Sequence, residues 1–143
     1  MDKTDHPTTF GVFKPTGHTL IAFHTPDALQ SAAIALKALG FMDSSMVRYT
    51  AAEMTALVDA ELLVASPLAG FGYELDLIHV YADLAQQGCC FLVVDAPTDE
   101  LSGQVADLVR SIKPACAQHY GLLMIEDLTQ RAPGRMGDEQ ASV

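Results

Sequence analysis

Histidine and cysteine carry the widest chemistry in this 143-residue chain, and their spacing decides what they can do. The five histidines are His6, His18, His24, His79 and His119. His18 and His24 lie six apart on an extended segment, so they share a face but stand ~20 Å apart and do not ligate one metal together. Asp76, His79 and Asp83 follow an i, i+3, i+7 spacing that puts them on one helix face. Such a set suits a divalent ion, but a solvated face with a weak ion pair is the commoner outcome, and no metal site is assigned. Cys89 and Cys90 are adjacent on a strand and point to opposite faces, which excludes the C-x-x-C geometry of a redox helix. A nucleophilic cysteine needs a neighbouring base. His119 supplies one if its strand packs beside Cys89 or Cys90. Burial is the ordinary fate of thiols that begin an apolar strand, so no catalytic residue is assigned.

Two turns raise the question of ligand binding. PLAGFGYELDL (67–77) sets two glycines around Phe71 just before a helix, as a phosphate cradle does. No Lys or Arg occurs between Arg48 and Arg110, however, and Glu74 and Asp76 put negative charge in the first turn. The stretch matches neither G-x-x-x-x-G-K-[ST] nor G-x-G-x-x-G. It reads as a joint: Pro67 stops one helix, the glycines permit a reversal and Phe71 plugs the core. Leu68, Phe71 and Tyr73 still suit the wall of an apolar cleft. KPTGH (14–18) reads as an ordinary hairpin turn, although Lys14 and His18 flank it and Arg48 and Tyr49 could gather there around a small anion. The candidate ligand-binding residues are therefore Lys14, His18, Arg48, Phe71, Tyr73 and His119. No cofactor is expected, and no G-x-S-x-G nucleophile motif occurs.

The elements that position these residues are legible from caps and apolar periods. Residues 18–25, 45–50, 89–97, 116–120 and 122–128 read as strands, and FGVF (10–13) as a short one. Thr25-Pro26-Asp27 opens a helix with Leu29, Ala32, Ala33 and Leu36 on its apolar face and Gly40 as its stop. Thr50 and Glu53 form a capping box for a helix carrying Met54, Leu57, Val58 and Leu62. A helix over 73–87 follows, and a third cap, at Thr98 or Asp99, opens one carrying Leu101, Val105, Leu108 and Ile112. The order strand, capped helix, strand occurs twice, with Arg48-Tyr49 lying near His119-Tyr120 in the echo. This predicts an α+β fold: a four- or five-stranded, mostly antiparallel, ferredoxin-like sheet built from two β-α-β units. Two helices cover one face, and a helical hairpin (50–88) inserted between the units covers an edge or the other face. One domain is expected over 10–129, with flexible tails at 1–9 and 130–143.

Composition narrows the partners. Eighteen acidic against eight basic residues give a net charge of −10, which disfavours nucleic acid and anionic membrane. No apolar run reaches the ~20 residues of a membrane span, and the polar N-terminus lacks a signal-peptide core. Three cysteines without framework spacing point to a reducing cytoplasm. Strands such as CCFLVV and LLMI do not alternate, so both sheet faces want burial, and a second copy of the chain is the expected cover for whatever the hairpin leaves open.

The segments FGVFKPTGHTLIAF, RYT, ASPLAGFGYELDL and AQHYGLLMIEDL resemble, in that order over roughly residues 10 to 128, a family of uncharacterised bacterial α/β proteins. The second half is similar, more loosely, to small bacterial stress-protein domains. Neither resemblance implies a reaction, so no residue role is transferred. The expected function is a non-catalytic cytoplasmic homodimer that binds a small ligand or a protein partner. The alternative is a small cofactor-independent enzyme with a His or Cys in an apolar cleft.

Overall fold

A computed structural model describes residues 8–9, 12–13, 17–65, 72–121 and 125–129, with side chains described for 17–60, 76–121 and 125–129. Lys14 and Phe71, and both proposed tails apart from Thr8 and Thr9, lie outside the described residues, as does the side chain of Tyr73.

Thr8–Thr9 (β1) pairs with Val12–Phe13 (β2) in a two-residue antiparallel ladder. The main sheet begins at His18–Phe23 (β3), whose residues after His18 are all buried. Thr25 then ends the extended chain, because its hydroxyl accepts the Ala28 amide at 3.1 Å and Pro26 occupies the first helical turn of Pro26–Ala38 (α1). Gly40, at φ 108°, takes the chain out of that helix. A 3-10 turn at Asp43–Ser45 leads into Met46–Tyr49 (β4). The capping box at the start of Ala51–Ala65 (α2) is reciprocal: Glu53 N–H donates to Thr50 Oγ1 at 3.1 Å, and Thr50 N–H to Glu53 Oε1 at 2.9 Å. Gly72–Gln86 (α3) returns antiparallel to it and is followed by Cys90–Asp95 (β5). Thr98 Oγ1 accepts the Leu101 amide and so caps Asp99–Ile112 (α4). Cys116–Tyr120 (β6) and Ile125–Asp127 (β7) complete the described chain.

The five long strands lie in the order β4-β5-β3-β6-β7, and every neighbouring pair is antiparallel. The strands joined through α1 therefore straddle β5, and those joined through α4 straddle β3. Alternation along β3 divides the core. Ile21 and Phe23 meet Leu29, Leu36, Val105 and Val109 of α1 and α4. Leu20 and Ala22 share the other core with Met54, Val58, Leu77, Ile78, Tyr81 and Ala85 of α2 and α3. Of the two positions expected for the hairpin, edge or second face, the structure shows the second face. The layers run α1/α4, sheet, α2/α3, which is why these strands carry apolar residues without alternation.

The register extends the sequence echo. Matching the two caps, Thr25 to Thr98, sets Leu20 on Val93. Their outer-strand partners are Gln118 and Val47. Continuing one and two residues matches Arg48 with His119 and Tyr49 with Tyr120.

Candidate functional site

Three chain starts meet at one corner of the sheet. β3 hands over to α1 at Thr25, β4 hands over to α2 at Thr50, and β5 begins at Cys90 just after the turn at Gly88. A cleft of about 380 Å³ opens there, lined by Pro26, Leu29, Arg48, Tyr49, Thr50, Ala51, Glu53, Gly88 and Cys90. Gly88 takes φ 90°, a conformation that side chains strain to adopt, and lets the chain turn from α3 into β5. An added Cβ there would meet nothing within 4 Å, so the turn faces open space.

The walls are mostly apolar, with a few polar groups placed among them. Arg48 Nη1 donates to Gln30 Oε1 at 2.6 Å. Among the described residues that neutral amide is its hydrogen-bond partner, and a guanidinium has five donors. Glu53 spends one oxygen on the Thr50 amide. Burial pushes the Tyr49 phenol above its usual range, and the Glu53 carboxylate adds to the shift. The half-buried Cys90 thiol reaches the carbonyls of Thr25, at 3.5 Å, and Phe23, at 3.8 Å. Burial raises its pKa, so at neutral pH it is a weak hydrogen-bond donor and not a thiolate.

The structure divides the sequence-derived ligand set. Arg48 lines the cleft, while His18 and His119 lie together at the other end of β3. His18 Nε2 stands 3.8 Å from Asp95 Oδ1, and His119 Nδ1 hydrogen-bonds Thr19 Oγ1 at 2.8 Å. β4 and β6 have two strands between them, which puts Arg48 and His119 about 14 Å apart across the sheet. One small anion does not span that gap. His119 is also not the base beside the cysteines: it pairs with Thr19, and Cys90 pairs with Phe23 at the opposite end of the strand. The imidazole near a thiol belongs to His24, whose Nδ1 is 3.8 Å from Cys89 Sγ. Cys89 is buried, and burial raises its pKa.

Asp76, His79 and Asp83 are exposed. Among the described residues no group of three His, Cys, Asp or Glu is arranged to hold a metal ion. No described helix is long and apolar enough to cross a membrane. Gly17 is in a turn at φ 81°, as the KPTGH reading expects, while residues 14–16 lie outside the described residues, and its backbone also ties strands together. Its N–H donates to Tyr120 at 2.7 Å and its carbonyl accepts from Ala96 at 2.9 Å.

Sequence reasoning missed most of the cleft. Thr50, Glu53 and Pro26 read in the sequence only as helix-start residues. The available signal is that two caps each follow directly on a strand, since β3 and β4 run parallel on either side of β5 and so bring both helix starts to one end of the sheet. Comparison with protein-family models, curated proteins and solved structures returns no match.

Proposed function

We propose that this protein is a non-catalytic module that holds a small ligand in the cleft between the starts of α1, α2 and β5. The observation that carries the reading is the cleft itself. It has the size and apolar character of a small-molecule site, with one arginine at its wall whose described partner is a neutral amide. A protonated Cys90 favours holding over reacting, and the His24–Cys89 pair, with a buried thiol, does not supply the alternative enzyme with a nucleophile.

The arrangement of the strands β4-β5-β3-β6 supports a ferredoxin-like reading, with each β-α-β unit straddling the first strand of the other. β7 and the α2/α3 hairpin are additions to that plan. The hairpin removes the original reason for a dimer, since it covers the second sheet face. We still favour a homodimer, now through the apolar residues left exposed around the end of α1: Ile34, Leu39 and Met42, the last 63% exposed. Three free thiols suit a reducing, cytoplasmic setting.

The test is a thermal-shift screen of small metabolites on the wild type and on Ala51→Trp. Ala51 sits in the first turn of α2, where an indole fills the cleft. A compound present at a hundred times its Kd stabilises the native state by about 2.7 kcal/mol. The expected result is at least one stabiliser whose effect disappears in Ala51→Trp. Stabilisers that act equally on both proteins would place the site elsewhere.

A further inference from the structure

The main sheet ends in β4 on one side and β7 on the other. An edge strand offers a row of backbone N–H and C=O groups to any chain that lies against it, and a short or charged edge discourages that pairing. β7 is guarded in both ways. It is three residues long, and two of them, Glu126 and Asp127, are acidic in a chain of net charge −10, so a second copy is repelled there. β4 differs. Met46-Val47-Arg48-Tyr49 holds no acidic residue; it pairs with β5 on one side, and no described strand pairs with it on the other. Its one charged side chain is drawn onto its own helix, where Arg48 Nη1 donates to Gln30 Oε1. The flank beside this edge is apolar. Gln30 marks the side of α1 that meets β4, and Ile34, 58% exposed, follows one turn later on the same face. Met42, 63% exposed, stands at the entry to the 3-10 turn that leads into β4. Lys37 and Asp43, which also connect α1 to that turn, pair with each other at 3.3 Å.

We propose that a second copy of the chain docks on this edge, its β4 pairing antiparallel with this β4, so that the two sheets become one. This rests on the dimer reading and adds the seam and its register. Two-fold symmetry pairs a strand with itself only in the antiparallel sense. Residues directly opposite each other in such a pair share a face. The axis therefore passes beside one of the two inner residues, Val47 or Arg48. At Arg48 it would set two guanidiniums against each other, and like charges directly opposite destabilise a pair. The register is thus Val47 on the partner's Val47, with Met46 facing the partner's Arg48. The backbone supplies the ladder, and the exposed Ile34 and Met42 of each copy supply apolar area beside it.

The experiment is an isotope-filtered nuclear Overhauser measurement on an equal mixture of labelled and unlabelled full chain, with sedimentation of the same sample. The expected result is a two-chain mass with cross-chain contacts from Val47 to the partner's Val47 and from Met46 to the partner's Arg48. A two-chain mass whose cross-chain contacts reach Ile34, Leu39 and Met42 but not the backbone of β4 overturns the strand pairing and leaves the dimer standing. Cross-chain contacts at β7 overturn the pairing as well. A single-chain mass removes both the pairing and the dimer. Arg48→Glu gives this edge the acidic character of β7. It is expected to weaken the dimer at least about tenfold while the circular dichroism spectrum stays that of the wild type. A folded Arg48→Glu protein that dimerises as tightly as the wild type would overturn the seam.

Discussion

At the scale of single residues, three buried polar features make different predictions. The hydroxyls of Tyr81 on α3 and Tyr120 on β6 hydrogen-bond to each other deep in the core between hairpin and sheet. Tyr81→Phe and Tyr120→Phe should therefore couple, with an interaction energy of about 0.5–3 kcal/mol in a double-mutant cycle followed by urea unfolding. Strict additivity would mean that the pair contributes nothing. His119 is half-buried against Thr19 of β3, with Glu126 of β7, Asp99 of α4 and His18 of β3 around it. Desolvation holds its pKa below the ordinary 6.5, outweighing the two carboxylates, and His18 adds to the lowering. The folded protein thus binds a proton less readily than the unfolded chain. The stability His119 contributes is complete above about pH 6.5 and is lost as pH falls from there through its folded pKa. His119→Asn should flatten this part of the stability curve between pH 7.5 and 5, measured as urea midpoints. An unchanged slope would contradict the assignment. The thiols make a kinetic prediction. Burial pushes Cys116 up to about 11 and raises Cys89 as well, so both should react slowly with a thiol reagent in the native protein and quickly in urea. Half-buried Cys90 should react first. Fast native reaction at Cys89 would revive the enzyme reading.

At the scale of elements, the local signals were legible because their causes are local. Thr25, Thr50 and Thr98 each cap the helix expected from the few residues around them, and Gly40 and Gly88 each end one at positive φ. Thr98→Ala should cost about 1 kcal/mol. Glu53→Ala should destabilise more than Glu53→Gln, because only the latter can still accept from the Thr50 amide. Met54→Ala tests the packing of the hairpin on the sheet. Met54 is fully buried, so the loss should be about 2–5 kcal/mol if α2 closes the second sheet face. A loss well below 1 kcal/mol would detach the hairpin from that core. What the sequence could not show is strand order. Whether His119 neighbours Cys90 or Thr19 depends on a pairing a hundred residues apart, and no local propensity encodes that register. Arg48 stands out in the sequence as a candidate and its companions do not, because Glu53, Pro26 and Gly88 each have a sufficient structural reason to be where they are.

At the scale of the whole molecule, the chain satisfies both sheet faces with its own helices, so association now depends on what remains exposed. Ile34, Leu39 and Met42 are the most exposed large apolar residues among those described, ahead of Val80 and Ile112. Sedimentation at micromolar concentration should give twice the 15.3 kDa chain mass, and Met42→Asp should shift it to the single-chain value. A wild-type mass of one chain would remove the dimer and leave the cleft reading intact, because every lining residue of the cleft comes from a single chain. The central claim is that this corner, and not the histidine end of the sheet, is where a ligand sits. An amide-shift map of the labelled protein with the strongest stabiliser from the metabolite screen tests it most directly. The account predicts shifts clustered at Leu29, Arg48 to Glu53 and Gly88 to Cys90. Shifts clustered instead at His18, His119 and Tyr120 would contradict it.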